Sequence, residues 1–240
     1  MNVYERIVEL LKEEPLLKDF KYVKSKYAFI KVDGEIRYKL DLVHRFTFNL
    51  FMDIQPSCDG RYDIVQRWYE KFSRISLRDL RDHFTIGVYS VPCQFGMQDE
   101  YAFRYDESDF EEVYGKMIVV IRKMLENIMT TFRTLEDYYR LVVKPVLTGG
   151  KMPNNGAEWV FNYLTAALLV DPANYEEVKR VIMEHVAMLT ERDEPNIMWY
   201  DGKWDEIFAY LESLDFSSGK AREQKTESKR KRKPKEKKEE

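Results

Sequence analysis

The sequence predicts an α+β protein. An antiparallel sheet of about four or five strands, the usual sheet size, should carry helices on one face. A mostly helical C-terminal half and a disordered basic tail should follow. Three observations lead there. Asp33-Gly34 stands between two runs of alternating polar and apolar residues, and Asp-Gly supplies the positive φ angles of a tight hairpin turn. From residue 108 the apolar period becomes 3.6. Strands first and helices later is the order of an α+β fold. From residue 217 every aromatic and branched aliphatic side chain disappears.

Element by element, Val3, Ile7, Leu10 and Leu11 recur at helical spacing before Pro15, which predicts a short helix over residues 3–13. Residues 27–42 form the hairpin. On its second strand Ile36, Tyr38, Leu40 and Leu42 should face inward, and Glu35, Arg37, Lys39 and Asp41 outward. A third strand is expected to place Phe46, Phe48, Leu50, Met52 and Ile54 on one face. Pro56 and Gly60 should end it by breaking the ladder. Ile64, Val65, Trp68 and Phe72 suggest a helix over 61–74. Residues 84–89 and 101–105 read as further strands.

Ser108 and Glu111 have capping-box spacing. They open a long helix with Phe110, Val113, Met117, Ile121, Met124 and Ile128 on one stripe. Thr134 and Asp137 open another, closed by Pro145 and Gly149-Gly150. Helices near 157–170, 174–190 and 203–214 follow, with Asn174 and Glu177 repeating the cap spacing. There is no internal repeat. The organisation is therefore residues 1–107, helix plus sheet; 108–216, helices packed on it in the same globule; and 217–240, the tail.

Charge divides along the same lines. The formal net charge is −3. The tail holds 11 basic and 5 acidic residues, and the rest of the chain 28 basic and 37 acidic. Most of that acidity lies in residues 108–216, with 11 basic and 19 acidic side chains. An acidic body disfavours phosphate backbones at long range, which argues against a large nucleic-acid face on it. Cys58 and Cys93 are too few for a disulfide framework and suggest a reducing compartment. The N-terminus lacks an apolar signal core, and the apolar runs fall short of a membrane span. A cytoplasmic protein is expected, with no membrane partner; a functional tail would make it nuclear or nucleoid-associated.

Motifs for chemistry are sparse. Residues 148–156 are glycine-rich, but Pro145 stands where a phosphate-binding loop needs glycine and Met152 where it needs a hydroxyl. A helix–helix turn is the simpler account. His44, His83, His185 and the two cysteines lack metal-ligand spacing; no metal or cofactor is expected, and these side chains read as packing residues. No nucleophile elbow occurs.

The one enzymatic alternative uses strand carboxylates. Asp41 and Asp53 with Lys39 would suit a metal-dependent nuclease or phosphodiesterase, although a half-solvated strand also reads this way. Trp68-Tyr69, Tyr138-Tyr139, and Trp199-Tyr200 with Trp204 offer a stacking surface or simply core. In the tail, Lys229, Arg230, Lys231, Arg232, Lys233 and Lys235 are dense enough to contact a polyanion or act as a targeting signal. Otherwise the tail solubilises the chain or folds back on the acidic helices.

The first hundred residues resemble a bacterial domain family of unknown function. The shared features are an opening helix, Phe20-Lys-Tyr-Val-Lys24 leading into the hairpin, and the strand Phe84-Thr-Ile-Gly-Val-Tyr89. The resemblance implies an α+β fold and brings no catalytic residues. The function expected overall is a non-enzymatic protein-interaction module with an unknown protein partner and a polyanion-contacting basic tail. The alternatives are the metal-dependent hydrolase and a nucleic-acid-binding accessory protein acting through the tail.

Overall fold

A computed structural model describes residues 2–47, 51–73, 83–89, 103–105, 109–150, 152, 157–216 and 222–223. Its N-terminal part is helix α1 (Val3–Lys12) and a six-stranded antiparallel sheet. The strands are β1 (Lys21–Val23), β2 (Ala28–Asp33), β3 (Ile36–Thr47), β4 (Phe51–Tyr62), β5 (Ile86–Tyr89) and β6 (Phe103–Tyr105). They lie in the order β1-β2-β3-β4-β5, and β6 pairs with the other end of β4.

The β2–β3 hairpin forms at the predicted place. Asp33 pairs with Ile36 across Gly34-Glu35, and Gly34 has φ +58°. Ile36, Tyr38, Leu40 and Leu42 are buried, as their alternation requires. The next element differs from expectation. Instead of one strand over 46–54, β3 and β4 form a long ribbon, paired from Ile36↔Tyr62 to Thr47↔Phe51. They join across residues 48–50, outside the described residues. Period-2 alternation continues through the join, so it hid the reversal.

Pro56 and Gly60 do not end β4. Leu42 sends its N–H to the Tyr27 carbonyl at 3.3 Å, toward β2, so the Leu42↔Pro56 pair is not hydrogen-bonded. The nitrogen of Pro56 therefore faces the outer edge of β4. There it falls between Ile54, paired to β6, and Ser57, paired to β5. A missing donor does no damage in that gap. At Gly60 a Cβ would lie 2.9 Å from Ile36 Cδ1 and 3.5 Å from Ile128 Cδ1. The glycine lets a helix approach the sheet.

That helix is α3 (Phe110–Thr131). Most of its predicted stripe is buried, with Met117, Ile121, Met124 and Ile128 fully enclosed and Val113 half-buried. Ser108 lies outside the described residues; Asp109 is the N-cap and makes no side-chain cap bond. Helices α1 and α3 cover the same sheet face. Tyr4 packs on His44 at 4.6 Å, and Tyr38 donates to the Phe132 carbonyl at 2.8 Å. The Glu14 carboxylate, 7% exposed, accepts two bonds from Arg122 and ties the two helical layers together.

The segment predicted as a helix over 61–74 is instead the end of β4, one helical turn α2 (Asp63–Gln66) and a 3-10 turn (Trp68–Lys71). The remaining helices are α4 (Leu135–Tyr138, continuing as wider and tighter turns to Thr148), α5 (Glu158–Val170), α6 (Tyr175–Glu191), α7 (Pro195–Met198) and α8 (Trp204–Glu212). Thr134 and Asp137 form the capping box expected at α4. Asn174 does not cap α6; its amide donates to Asp171 at 2.9 Å, and Glu177 is held by Arg180.

Helix α5 is buried on nearly every side, as expected of a central helix. Trp68 reaches it from the sheet side, donating its indole N–H to Thr165 Oγ1 at 2.6 Å. A single hydrophobic cluster thus includes residues from both halves of the chain. The tail begins at a small ribbon, where β7 (Leu214–Asp215) pairs with β8 (Arg222–Glu223).

Candidate functional site

Two surfaces hold the chemistry-bearing side chains. The first is the sheet face opposite α1 and α3. Here β3 contributes Arg37, Lys39 and Asp41, and β4 contributes Asp53, Ser57, Asp59 and Arg61. Lys39 and Asp41 are brought together, with Nζ 2.6 Å from Oδ2. Asp53 does not join them. It stands four residues along β4 from Ser57, the partner of Asp41, a separation of about 13 Å. Its carboxylate is instead held by Arg104 across the β4–β6 pair, at 2.8 Å.

Asp59 takes the place beside Lys39 that sequence reasoning gave to Asp53. It pairs with Lys39 across the ribbon and is 5% exposed. Among the described residues its Oδ1 has no hydrogen-bond partner. Burial pushes the carboxyl up to about 7, the nearby Asp41 adds to that, and Lys39 opposes it.

Arg61 is next in phase on the same strand and is 4% exposed. It donates from Nε to Asp63 at 2.6 Å and from Nη1 to Gln66 Oε1 and to the His83 carbonyl. Burial raises Asp63, but the bond and charge of Arg61 more than offset it and hold that carboxyl below its usual range. Because guanidinium only donates, it fixes the Gln66 amide oxygen toward itself. Among the described residues the Gln66 Nε2 is left without a partner, as is His83 Nδ1. Burial holds His83 below the usual imidazole range, so its ring is neutral at pH 7.

Sequence reasoning missed Asp59, Arg61 and Gln66 because it ended the strand after Ile54, taking residues 55–60 as its terminator. The available signal was the unbroken alternation Asp53, Gln55, Ser57, Asp59, Arg61.

Cys58 and His83 lie on opposite faces of the sheet. Cys58 is fully buried on the face toward α1 and α3, and burial pushes its thiol well up. A buried, undissociated thiol is a poor nucleophile and ligand. His83 lies with Arg61 on the other face, so the sheet separates the two. Cys93 is outside the described residues. His44 packs on Tyr4 and Tyr27, and His185 on Trp159. Among the described residues no group of three or more His, Cys, Asp or Glu is placed to hold a metal ion.

The start of the glycine-rich stretch is a helix stop; residues 151 and 153–156 lie outside the described residues. Gly149 has φ +80°, and the Gly150 N–H donates to the Pro145 carbonyl at 2.8 Å. Most of the paired aromatics are core: Trp68, Tyr69, Tyr138, Tyr139, Tyr200 and Trp204 are at most 8% exposed. Trp199 is the exception, 51% exposed beside Met198 at 44%.

Trp199 marks the second surface, residues 191–206. This stretch runs from the end of α6 through α7 to the start of α8. Glu191, Asp193, Glu194, Asp201, Asp205 and Glu206 face only Arg192 and Lys203 in it. All but Glu194 among these acids are exposed. Among the described residues none of the six forms an ion pair, while Lys203 lies over the Trp199 ring at 4.3 Å.

Asp205 and Glu206 suit the positive N-terminal end of α8, and Glu194 is the N-cap residue of α7, but Glu191 and Asp193 stand at the negative C-terminal end of α6, where stability does not account for them. Asp193 also has φ +56°, a conformation in which glycine carries less strain.

The polyanion-binding candidates Lys229, Arg230, Lys231, Arg232, Lys233 and Lys235 lie outside the described residues. Among the described residues no helix is long and apolar enough to cross a membrane. Comparison with family models, curated proteins and solved structures finds no match for the chain.

Proposed function

We propose that this chain is a protein-interaction module whose recognition surface is the acidic ridge 191–206 and whose basic tail contacts a polyanion. One observation supports it above the others: six acids without ion-pair partners among the described residues flank an exposed Met198-Trp199 along the chain. Exposed aromatic and methionine side chains ringed by charge are the composition of an anchoring patch with a polar rim. The partner surface that fits is basic, with an apolar pocket for Trp199.

The test is affinity capture from the native host, after nuclease treatment, with the full chain and with a Met198→Ser/Trp199→Ser/Asp205→Asn variant. A specific protein recovered by the first and lost by the second is expected. Equal recovery by both removes the ridge from the reading. For the tail, fluorescence anisotropy with a labelled oligonucleotide should show affinity falling steeply with salt and lost when Lys229–Lys233 are changed to glutamine.

A second reading is favoured by Asp59. A buried carboxyl titrating at about 7, beside Lys39 and with one oxygen unpartnered among the described residues, exchanges a proton near neutral pH, as a general acid–base requires. It moves the hydrolase alternative from Asp53 to Asp59. The expected result is cleavage of an activated phosphodiester that disappears in Asp59→Asn with folding retained. Unchanged cleavage in that variant ends this reading.

A further inference from the structure

We infer that the ridge 191–206 is the intramolecular dock for the chain's own basic tail, so that the tail and an outside partner compete for one surface. The inference rests on reading the ridge as a binding surface.

Geometry brings the tail to the ridge. Strand β8 runs antiparallel to β7, and Glu223 pairs with Leu214, the β7 residue nearest α8. The chain therefore leaves Glu223 beside the C-terminal end of α8, heading back toward that helix. Asp205 and Glu206 stand at its other end. Helix α8 has nine residues, a length of about 14 Å. Lys229 is six residues past Glu223, within about 20 Å of extended chain, and Lys235 within about 40 Å. The run Lys229–Lys235 can thus lie along α8 and over the turn at 199–203 without a long loop to close.

Charge complementarity is the second support. Residues 229–235 hold six basic side chains in seven positions, against six acids and two bases in the ridge. Each exposed pair contributes little alone. Tethering makes the encounter intramolecular, at effective concentrations on the order of millimolar, where several weak pairs suffice. Trp199 adds a face for a cation, as Lys203 already shows at 4.3 Å.

A consequence follows for the polyanion. It must displace an internal acidic competitor, and a basic partner on the ridge must displace the tail. Binding of one at its own site then favours the other, by linkage.

The experiment is zero-length carbodiimide cross-linking of the full chain at low protein concentration, read by mass spectrometry. Expected are intrachain links from Lys229, Lys231, Lys233 or Lys235 to Glu191, Glu194, Asp201, Asp205 or Glu206. They should disappear at 0.5 M NaCl, where screening is within a few ångströms, about 4 Å, and in an Asp201→Asn/Asp205→Asn/Glu206→Gln variant. A second readout is acrylamide quenching, because Trp199 is half exposed and the other three tryptophans are at most 8% exposed. Changing Lys229, Arg230, Lys231, Arg232 and Lys233 to glutamine should increase quenching without touching the folded body.

Links scattered over carboxylates outside the ridge, links only between chains, or quenching indifferent to the tail would each overturn the docking. Partner capture through the ridge that survives such a result leaves the interaction reading standing and removes only the internal dock.

Discussion

Asp59→Asn separates the burial of a polar side chain from the burial of its charge. The native carboxyl is moved from its ordinary 3.8 to about 7, chiefly by desolvation. At about 1.4 kcal/mol per pH unit, ionising it in place takes about 4 kcal/mol from folding. The direction with pH is fixed. Between 3.8 and 7 the folded state holds a proton that the unfolded chain has released. Stability contributed by the group is therefore full below about pH 4, falls as pH rises, and is gone above pH 7.

Asparagine keeps the shape and has no such slope. In urea denaturation the variant should gain on the parent as pH rises, the gap widening by about 3 kcal/mol between pH 5 and pH 8. With an m-value of about 2 kcal/mol/M, that is a relative midpoint shift of about 1.5 M. His83 acts in the other direction: held below 6.5 in the folded state, it removes stability as pH falls through that value. It does so in both proteins and cancels in the comparison. A gap that stays constant between pH 5 and pH 8, or a variant weaker than the parent at pH 8, refutes the account of Asp59 as a desolvated charge.

Four further outcomes are expected. Gly60→Ala should lower stability by about 1–3 kcal/mol, because the new methyl meets buried Ile36 at 2.9 Å; adding Ile36→Val should recover part of the loss in a thermal melt. Thr165→Val should cost about 1–3 kcal/mol in chemical denaturation, since it leaves the buried Trp68 indole N–H without its acceptor. Gly150→Ala should destabilise more than Gly149→Ala, which costs about 1 kcal/mol through its left-handed backbone, because a Cβ at 150 lies 2.6 Å from the rigid Pro145 carbonyl; paired melts read the difference. Asp193→Gly should stabilise by about 0.5–1 kcal/mol while weakening capture by the ridge, a split that calorimetry and binding assays read separately.

Local pattern was legible wherever one neighbourhood decided the structure. Asp33-Gly34 placed the β2–β3 turn, the 3.6-residue stripe placed α3, and Thr134 with Asp137 placed the start of α4. Reading failed where a distant partner decided. Pro56 reads as a strand breaker until β5 and β6 are seen to leave a gap opposite its nitrogen. Asp41 and Asp53 sit on one face by phase alone, yet the ribbon register holds them far apart and sets Asp59 beside Lys39.

The sequence by itself determined the α+β class, the faces presented by Ile36 to Leu42, and the opposite charges of the body and the tail. These follow from residue spacing and composition, which need no long-range contact. Only the tertiary structure decided which polar groups became buried and which tryptophan remained at the surface. Burial depends on what packs against a side chain, and desolvation, which raises Asp59 and holds down His83, exists only once that packing has excluded water.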